Sequence, residues 1–127
     1  MFVSFRTTKF YNNMKTDVLK EKHRLGLGGV AIGTAFDKLT DGESYEVLQK
    51  AWDLGIRYYD TSPWYGLTKS ERRFGNFLHG QNREEFVLST KVGRLFVEVP
   101  EDEVPPTMWK APLNYDFEHN YTADAIK

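Results

Sequence analysis

Ile56-Arg57-Tyr58-Tyr59-Asp60-Thr61-Ser62-Pro63-Trp64-Tyr65-Gly66 joins a short β-prone run to a tight, proline-constrained loop, and its reading decides the fold. Residues 56–60 suit a strand. Upstream, Tyr45, Leu48 and Trp52 fall at i, i+3 and i+7, with Val47, Ala51 and Leu54 beside them, which predicts an amphipathic helix. Thr40 or Asp41 can cap that helix near Gly42, Glu43 and Glu46 favour its first turns, and Gly55 stops it. Before it, Leu25-Gly26-Leu27-Gly28-Gly29-Val30 reads as a buried parallel strand or a strand-to-loop junction. After Gly66, Ser70 to Leu78 reads as a second helix ended by His79-Gly80. Phe74, Phe77 and Leu78 lie on one side, and Glu71, Arg72 and Arg73 largely on the other. Phe86 to Val92 is the third strand candidate. Strand, helix, strand, helix, strand with short connections predicts an α/β fold around a parallel sheet.

From Gly93 to Tyr121 no such pattern continues. Pro100, Pro105, Pro106 and Pro112, the acidic Glu98, Glu101, Asp102 and Glu103, and scattered aromatics predict a long irregular loop. Thr122 reads as the N-cap of a third helix, Ala123-Asp124-Ala125-Ile126-Lys127. At the other end, Met1 to Asn13 carry Arg6 and Lys9 and no acid. A basic, acid-free start is compatible with an organelle presequence; the preferred reading makes Met14 the start and residues 1–13 a disordered extension. The expected organisation is thus 1–13 as extension and 14–127 as one partial domain.

Composition narrows the function. At 127 residues, 40% hydrophobic and 28% charged, the chain has an ordinary globular balance. A formal net charge of −1 gives no electrostatic reason for nucleic acid or an anionic membrane as partner. With no cysteine there is no disulfide, thiolate nucleophile or zinc-thiolate site, which fits a cytoplasmic enzyme; no metal is expected. No apolar run approaches the roughly 20 residues of a membrane span.

Asp60 and Lys91 fall at or near the C-terminal ends of successive strands, where parallel α/β folds build their sites. Tyr65 follows Asp60 across a short constrained span. A phenol, with an ordinary pKa of about 10, is a poor acid at neutral pH. A neighbouring ammonium favours the phenolate, and a carboxylate can hold that ammonium charged, giving a general acid/base for a carbonyl or alcohol oxygen. Taken singly, the same residues read as a charged strand end, a turn tyrosine and a snorkelling lysine, and Gly26, Gly28 and Gly29 as a tight turn.

The wording of the chain goes further. Asp60-Thr61-Ser62-Pro63-Trp64-Tyr65-Gly66, then Ser70-Glu71 and Gly75, then Ser89-Thr90-Lys91-Val92-Gly93, resembles the aldo/keto reductase family. Leu25-Gly26-Leu27-Gly28-Gly29 resembles that family's first barrel strand, and the match runs from about Arg24 to Arg94 without a gap. The Ser70-Glu71-Arg72-Arg73 and Ser-Thr-Lys-Val-Gly-Arg runs look most like the branch acting on aldoses such as fucose-type sugars, or on pyridoxal.

The resemblance implies the first three βα units of an incomplete (β/α)₈ TIM barrel. It implies an oxidoreductase moving a hydride between NAD or NADP and a small carbonyl or alcohol such as an aldose. Tyr65 would be the proton donor or acceptor, tuned by Lys91 and Asp60. Asp60 and the backbone at Gly28, Gly29 and Val30 would lie against the cofactor, Trp64 would wall the substrate pocket, and the 93–121 loop would cover the barrel mouth. The family's catalytic histidine, ending the fourth strand, and its adenosine-phosphate site lie beyond Lys127. His23, His79 and His119 are not at equivalent positions and read as surface histidines. The expectation is therefore an inactive fragment; the alternatives are a non-catalytic truncated product, or a half-barrel completed by a partner chain carrying the missing C-terminal half.

Overall fold

The computed structural model describes residues 25–126. The expectations for residues 1–13 and for Met14 lie outside them. The order of elements is the one expected: β1 (Gly26–Gly28), α1 (Asp41–Asp53), β2 (Tyr58–Asp60), α2 (Lys69–Leu78) and β3 (Val87–Ser89). The three strands form one parallel sheet in the order β1-β2-β3, and Gly28, Asp60 and Ser89 pair across its C-terminal edge.

Helix α1 starts where its sequence says it should. Thr40 is the N-cap: its hydroxyl accepts from the Glu43 amide at 3.2 Å, and Glu43 returns a carboxylate oxygen to the Thr40 amide at 2.8 Å. The Thr40 hydroxyl also donates to Glu43 Oε2 at 2.7 Å, and this bond, with that from the Thr40 amide, lowers the Glu43 pKa. Gly55, at φ +86°, ends the helix in the left-handed region. Alternation along β2 sends Tyr59 toward the helices and leaves Tyr58 and Asp60 on the opposite face. Tyr59 is fully buried in a core with Ile32, Leu48, Phe74, Phe77, Leu78 and Phe86, with Trp52 along its margin. Its ring meets Phe74 edge-on at 5.7 Å. The apolar stripe of α1 is narrower than the sequence suggested, since Tyr45, Val47 and Leu54 remain exposed.

Two expectations are corrected. The 93–121 segment is not irregular throughout: β4 (Arg94–Glu98) and β5 (Tyr115–His119) pair antiparallel, with Phe96 opposite Phe117. Tyr115 and Phe117 alternate with exposed Asp116 and Glu118, a period-2 signal masked by the proline-rich connection between the strands. Phe96, Tyr115 and Phe117 pack on a second cluster of Ala35, Leu67 and Trp109, joined by Val30, Trp64 and Tyr65. The hairpin is thereby seated on the loops that follow β1 and β2. Helix α3 is the single turn Ala123–Ile126.

The second correction is Arg73, which is buried, not on the solvent side of α2. Its guanidinium donates to the Ile32 and Leu39 carbonyls, both at 2.7 Å, and to Asp41 Oδ1 at 2.8 Å. The β1–α1 loop carries backbone acceptors that no strand or helix satisfies, and a five-donor fork is the side chain suited to collect them. Arg72 and Lys69 instead serve the hairpin, bonding the Tyr115 hydroxyl and the Ala111 carbonyl.

Candidate active site

Asp60, Tyr65 and Lys91 gather at the C-terminal end of the sheet. Lys91 lies beyond the end of β3, and its ammonium donates to Asp60 Oδ1 and to the Thr61 carbonyl, both at 2.9 Å. The same nitrogen lies 4.9 Å from the centre of the Tyr65 ring. Burial pushes the Asp60 carboxyl up, but the hydrogen bonds from Lys91 and Ser89 and the Lys91 charge outweigh it and hold the carboxyl below its ordinary value. For Lys91, burial works to lower the pKa, and the Asp60 hydrogen bond and charge, with the neighbouring Tyr65, outweigh it and raise it. The pair is half-exposed, so it is a positioned pair and not a deeply buried one.

Tyr65 is held by backbone geometry. Gly66, Leu67 and Thr68 all take positive φ, at +69°, +50° and +73°. For the two non-glycine residues this is a strained conformation. Burial of Leu67 and the bonds from the Thr68 amide to the Pro63 carbonyl and from the Ser70 amide to the Tyr65 carbonyl keep it in place. A Cβ on Gly66 would lie 2.5 Å from the Gly33 carbonyl oxygen, and one on Gly33 would lie 2.7 Å from the Tyr65 carbonyl carbon. The β1 and β2 loops therefore interlock beneath Tyr65 through two positions that admit no side chain.

The glycines at the end of β1 and just after it divide by role. Gly29 is glycine for packing, because a Cβ would meet Ser70 Oγ at 2.6 Å and Phe74 at 2.7 Å. Gly28 faces open space on the exposed side of the sheet edge, beside its register partner Asp60. Val30 packs into the second cluster. Trp64 stands between Trp109 and Phe117, at 6.0 and 4.9 Å between ring centres. It forms one wall of a cleft of about 200 Å³ lined by Ser62, Pro63, Lys91, Val92, Arg94 and Tyr121.

Three contributors escaped the sequence reading. Ser89 donates to Asp60 Oδ2 at 2.7 Å and meets the Tyr58 hydroxyl at 3.2 Å; its place at the end of a parallel strand beside Asp60 was the available signal. Thr61 supplies a carbonyl, which no side-chain pattern announces. Arg94 reaches the cleft from β4, within the segment whose composition predicts a loop. His119, expected as a surface histidine, is exposed and accepts from Arg94 Nε at 3.2 Å. Among the described residues no group of histidines and carboxylates has the spacing to hold a metal ion, and no helix is long and apolar enough to cross a membrane.

Known proteins resemble this chain in sequence and fold. Over 77 residues the chain is 54% identical to D-threo-aldose 1-dehydrogenase of a Pseudomonas species, covering 61% of this chain and 23% of that protein. Over 91 residues it is 37% identical to pyridoxal 4-dehydrogenase of Microbacterium luteolum, covering 71% of this chain and 26% of that one. The solved structure of a glycerol dehydrogenase from Gluconobacter oxydans superposes with a TM-score of 0.54 at 25% identity, over 80% of this chain and 28% of the other. The chain thus spans about a quarter of the length of the curated relatives it matches. The profile of the aldo/keto reductase family matches residues 24–127, so the chain belongs to the aldo/keto reductase family.

Proposed function

We propose that these residues are the first three βα units of a (β/α)₈ barrel whose whole protein is an oxidoreductase. It interconverts a small carbonyl compound and its alcohol with NAD or NADP, an aldose being the substrate suggested by the name of the 54%-identical relative. The observation that carries the reading is the Lys91–Asp60 hydrogen bond at the C-terminal sheet edge, with the ammonium 4.9 Å from the Tyr65 ring centre.

The residues present suit a flat cofactor ring. Gly28 offers bare backbone to open space, and the Asp60 carboxylate stands next to it in register. Gly28, with the backbone turning inward through Gly29 and Val30, and Asp60 would hold the nicotinamide end. When bound, the dinucleotide supplies or accepts the hydride.

In the reductive direction Tyr65 gives its hydroxyl proton to the carbonyl oxygen, which leaves as the alcohol oxygen; in the oxidative direction the phenolate takes that proton back. Lys91 stabilises the phenolate by its charge, and Asp60 and the Thr61 carbonyl fix where that charge sits. Trp64, backed by Trp109 and Phe117, walls the cleft and excludes water from one side.

Tyr65→Phe in the whole protein tests this. Turnover of aldehydes or aldoses should fall roughly 10²–10⁴-fold, the usual size of a general acid/base contribution, while cofactor affinity stays near that of the parent. Unchanged turnover would overturn the assignment.

A further inference from the structure

The cleft beside Lys91 contains a second cation that the proton chemistry does not use. Arg94 lays its guanidinium over the Trp64 ring at 4.2 Å from its centre and 5.2 Å from that of Phe117. Its Nε donates to His119 Nε2 at 3.2 Å. Two rings and one hydrogen bond therefore fix the plane of the guanidinium, and stacking leaves its edge available for in-plane donation. Among the described residues neither terminal nitrogen has an acceptor, and Arg94 belongs to neither of the two ion pairs, Arg73–Asp41 and Lys91–Asp60.

The wall that carries it is fixed as well. Gly93 has φ +102°, and a Cβ there would lie 2.0 Å from Tyr121 Cε1. The Asn120 amide donates to the Gly93 carbonyl at 3.0 Å, and Tyr121 closes the cleft next to Arg94. Among the described residues no carboxylate lines the cleft, and Asp60 offsets the charge of Lys91. What remains, among the described residues, is one preoriented positive fork without a counter-charge, in a partly apolar cleft that it shares with Lys91.

From this geometry we infer that Arg94 is a substrate anchor, selecting carbonyl substrates that bear a carboxylate at the end remote from the reacting carbon. The inference rests on the oxidoreductase reading of the site and extends it to a substrate class. A guanidinium matches a carboxylate with two parallel N–H···O bonds, whereas a single hydroxyl takes only one and leaves the charge unanswered.

The test compares two aldehydes of similar size, 4-carboxybenzaldehyde and 4-(hydroxymethyl)benzaldehyde, with the whole protein and its cofactor. The parent should favour the carboxylate in kcat/KM on the order of 10–100-fold, the range of a charge-assisted hydrogen bond. Added salt should shrink that preference. Arg94→Gln should lower the ratio of the two kcat/KM values at least about tenfold, and Arg94→Lys should retain part of it, keeping charge without the fork. A parent without preference, or an Arg94→Gln variant that loses both substrates equally, overturns the inference; the latter makes Arg94 a brace for the hairpin. Should Arg94→Gln not fold, calorimetry on the parent decides: benzoate must bind more tightly than benzamide, and equal binding overturns the anchor. Benzoate binding without turnover of any aldehyde would leave the anchor standing and refute the oxidoreductase reading instead.

Discussion

Ser89 Oγ donates to Asp60 Oδ2 at 2.7 Å, on the side of the carboxylate opposite the bond from Lys91 to Oδ1. Asp60 and Ser89 are register partners on adjacent parallel strands, so the sheet itself sets this distance. A carboxylate bonded on both oxygens cannot swing away from Lys91. Ser89 is thus a positioning residue for the pair, itself steadied by the Tyr58 hydroxyl at 3.2 Å.

Ser89→Ala should lower kcat/KM of the whole protein roughly 5–10-fold, less than the full worth of a hydrogen bond to a charged group because Ser89 acts on turnover only through Asp60. It should also move the acid limb of the pH–rate profile upward, because a donor that favours the ionised carboxyl is gone. Ser89→Thr should restore both. A profile that only loses height, with its acid limb unmoved, would make Ser89 merely structural.

The Asp60–Lys91 pair sets a pH window. The Asp60 pKa is lowered, so its stabilisation is present above the ordinary carboxylate value of about 3.9 and fades as pH falls through the lowered one. The Lys91 pKa is raised, so its share persists below about 10.4 and is lost as pH climbs through the raised value. The difference in unfolding free energy between the parent and Asp60→Asn should accordingly be flat from roughly pH 5 to 9 and shrink on both sides. Denaturant titrations across that range measure it, and a difference that changes through neutrality contradicts the pairing.

Gly66→Ala should destabilise the whole protein by about 1–3 kcal/mol, since φ +69° is unfavourable for alanine and its Cβ would meet the Gly33 carbonyl oxygen at 2.5 Å. Gly33→Ala presses on the Tyr65 backbone without demanding a left-handed residue, so its loss should be larger in turnover than in stability. Equilibrium unfolding alongside steady-state kinetics separates the two effects.

Arg73→Met should cost roughly 2–5 kcal/mol, because the Ile32 and Leu39 carbonyls lose their donor. The Asp41 contact contributes little to that figure, its carboxylate being 89% exposed. Asp41→Ala should therefore stay within about 1 kcal/mol of the parent by denaturant titration. Equal losses in the two variants would show that the ion pair, not the carbonyl bonds, holds the loop.

Several features were legible without coordinates because local physics fixes them. The cap of α1 at Thr40 or Asp41, the Gly55 stop and the Phe74, Phe77 and Leu78 side of α2 each announce themselves within a few residues. The hairpin was not legible, because Arg94–Glu98 and Tyr115–His119 are short and lie far apart along a proline-rich connection. Arg73 was misread for a related reason. On helical spacing it belongs beside two charged, solvent-facing neighbours, and only the position of the β1–α1 loop shows where its donors are needed.

By itself, the sequence determined the strand–helix alternation and the parallel sheet, and set Asp60 and Lys91 at or near the ends of successive strands, because periodicity and strand ends specify direction and side. Tertiary structure alone decided what surrounds them: Ser89 on the far oxygen of Asp60, the interlock of Gly33 with Gly66, and Arg94 stacked on Trp64. The physical reason is range. Caps, stripes and turns are fixed by bonds within a few residues, whereas a hydrogen bond or ring contact between distant segments exists only once packing has brought them together.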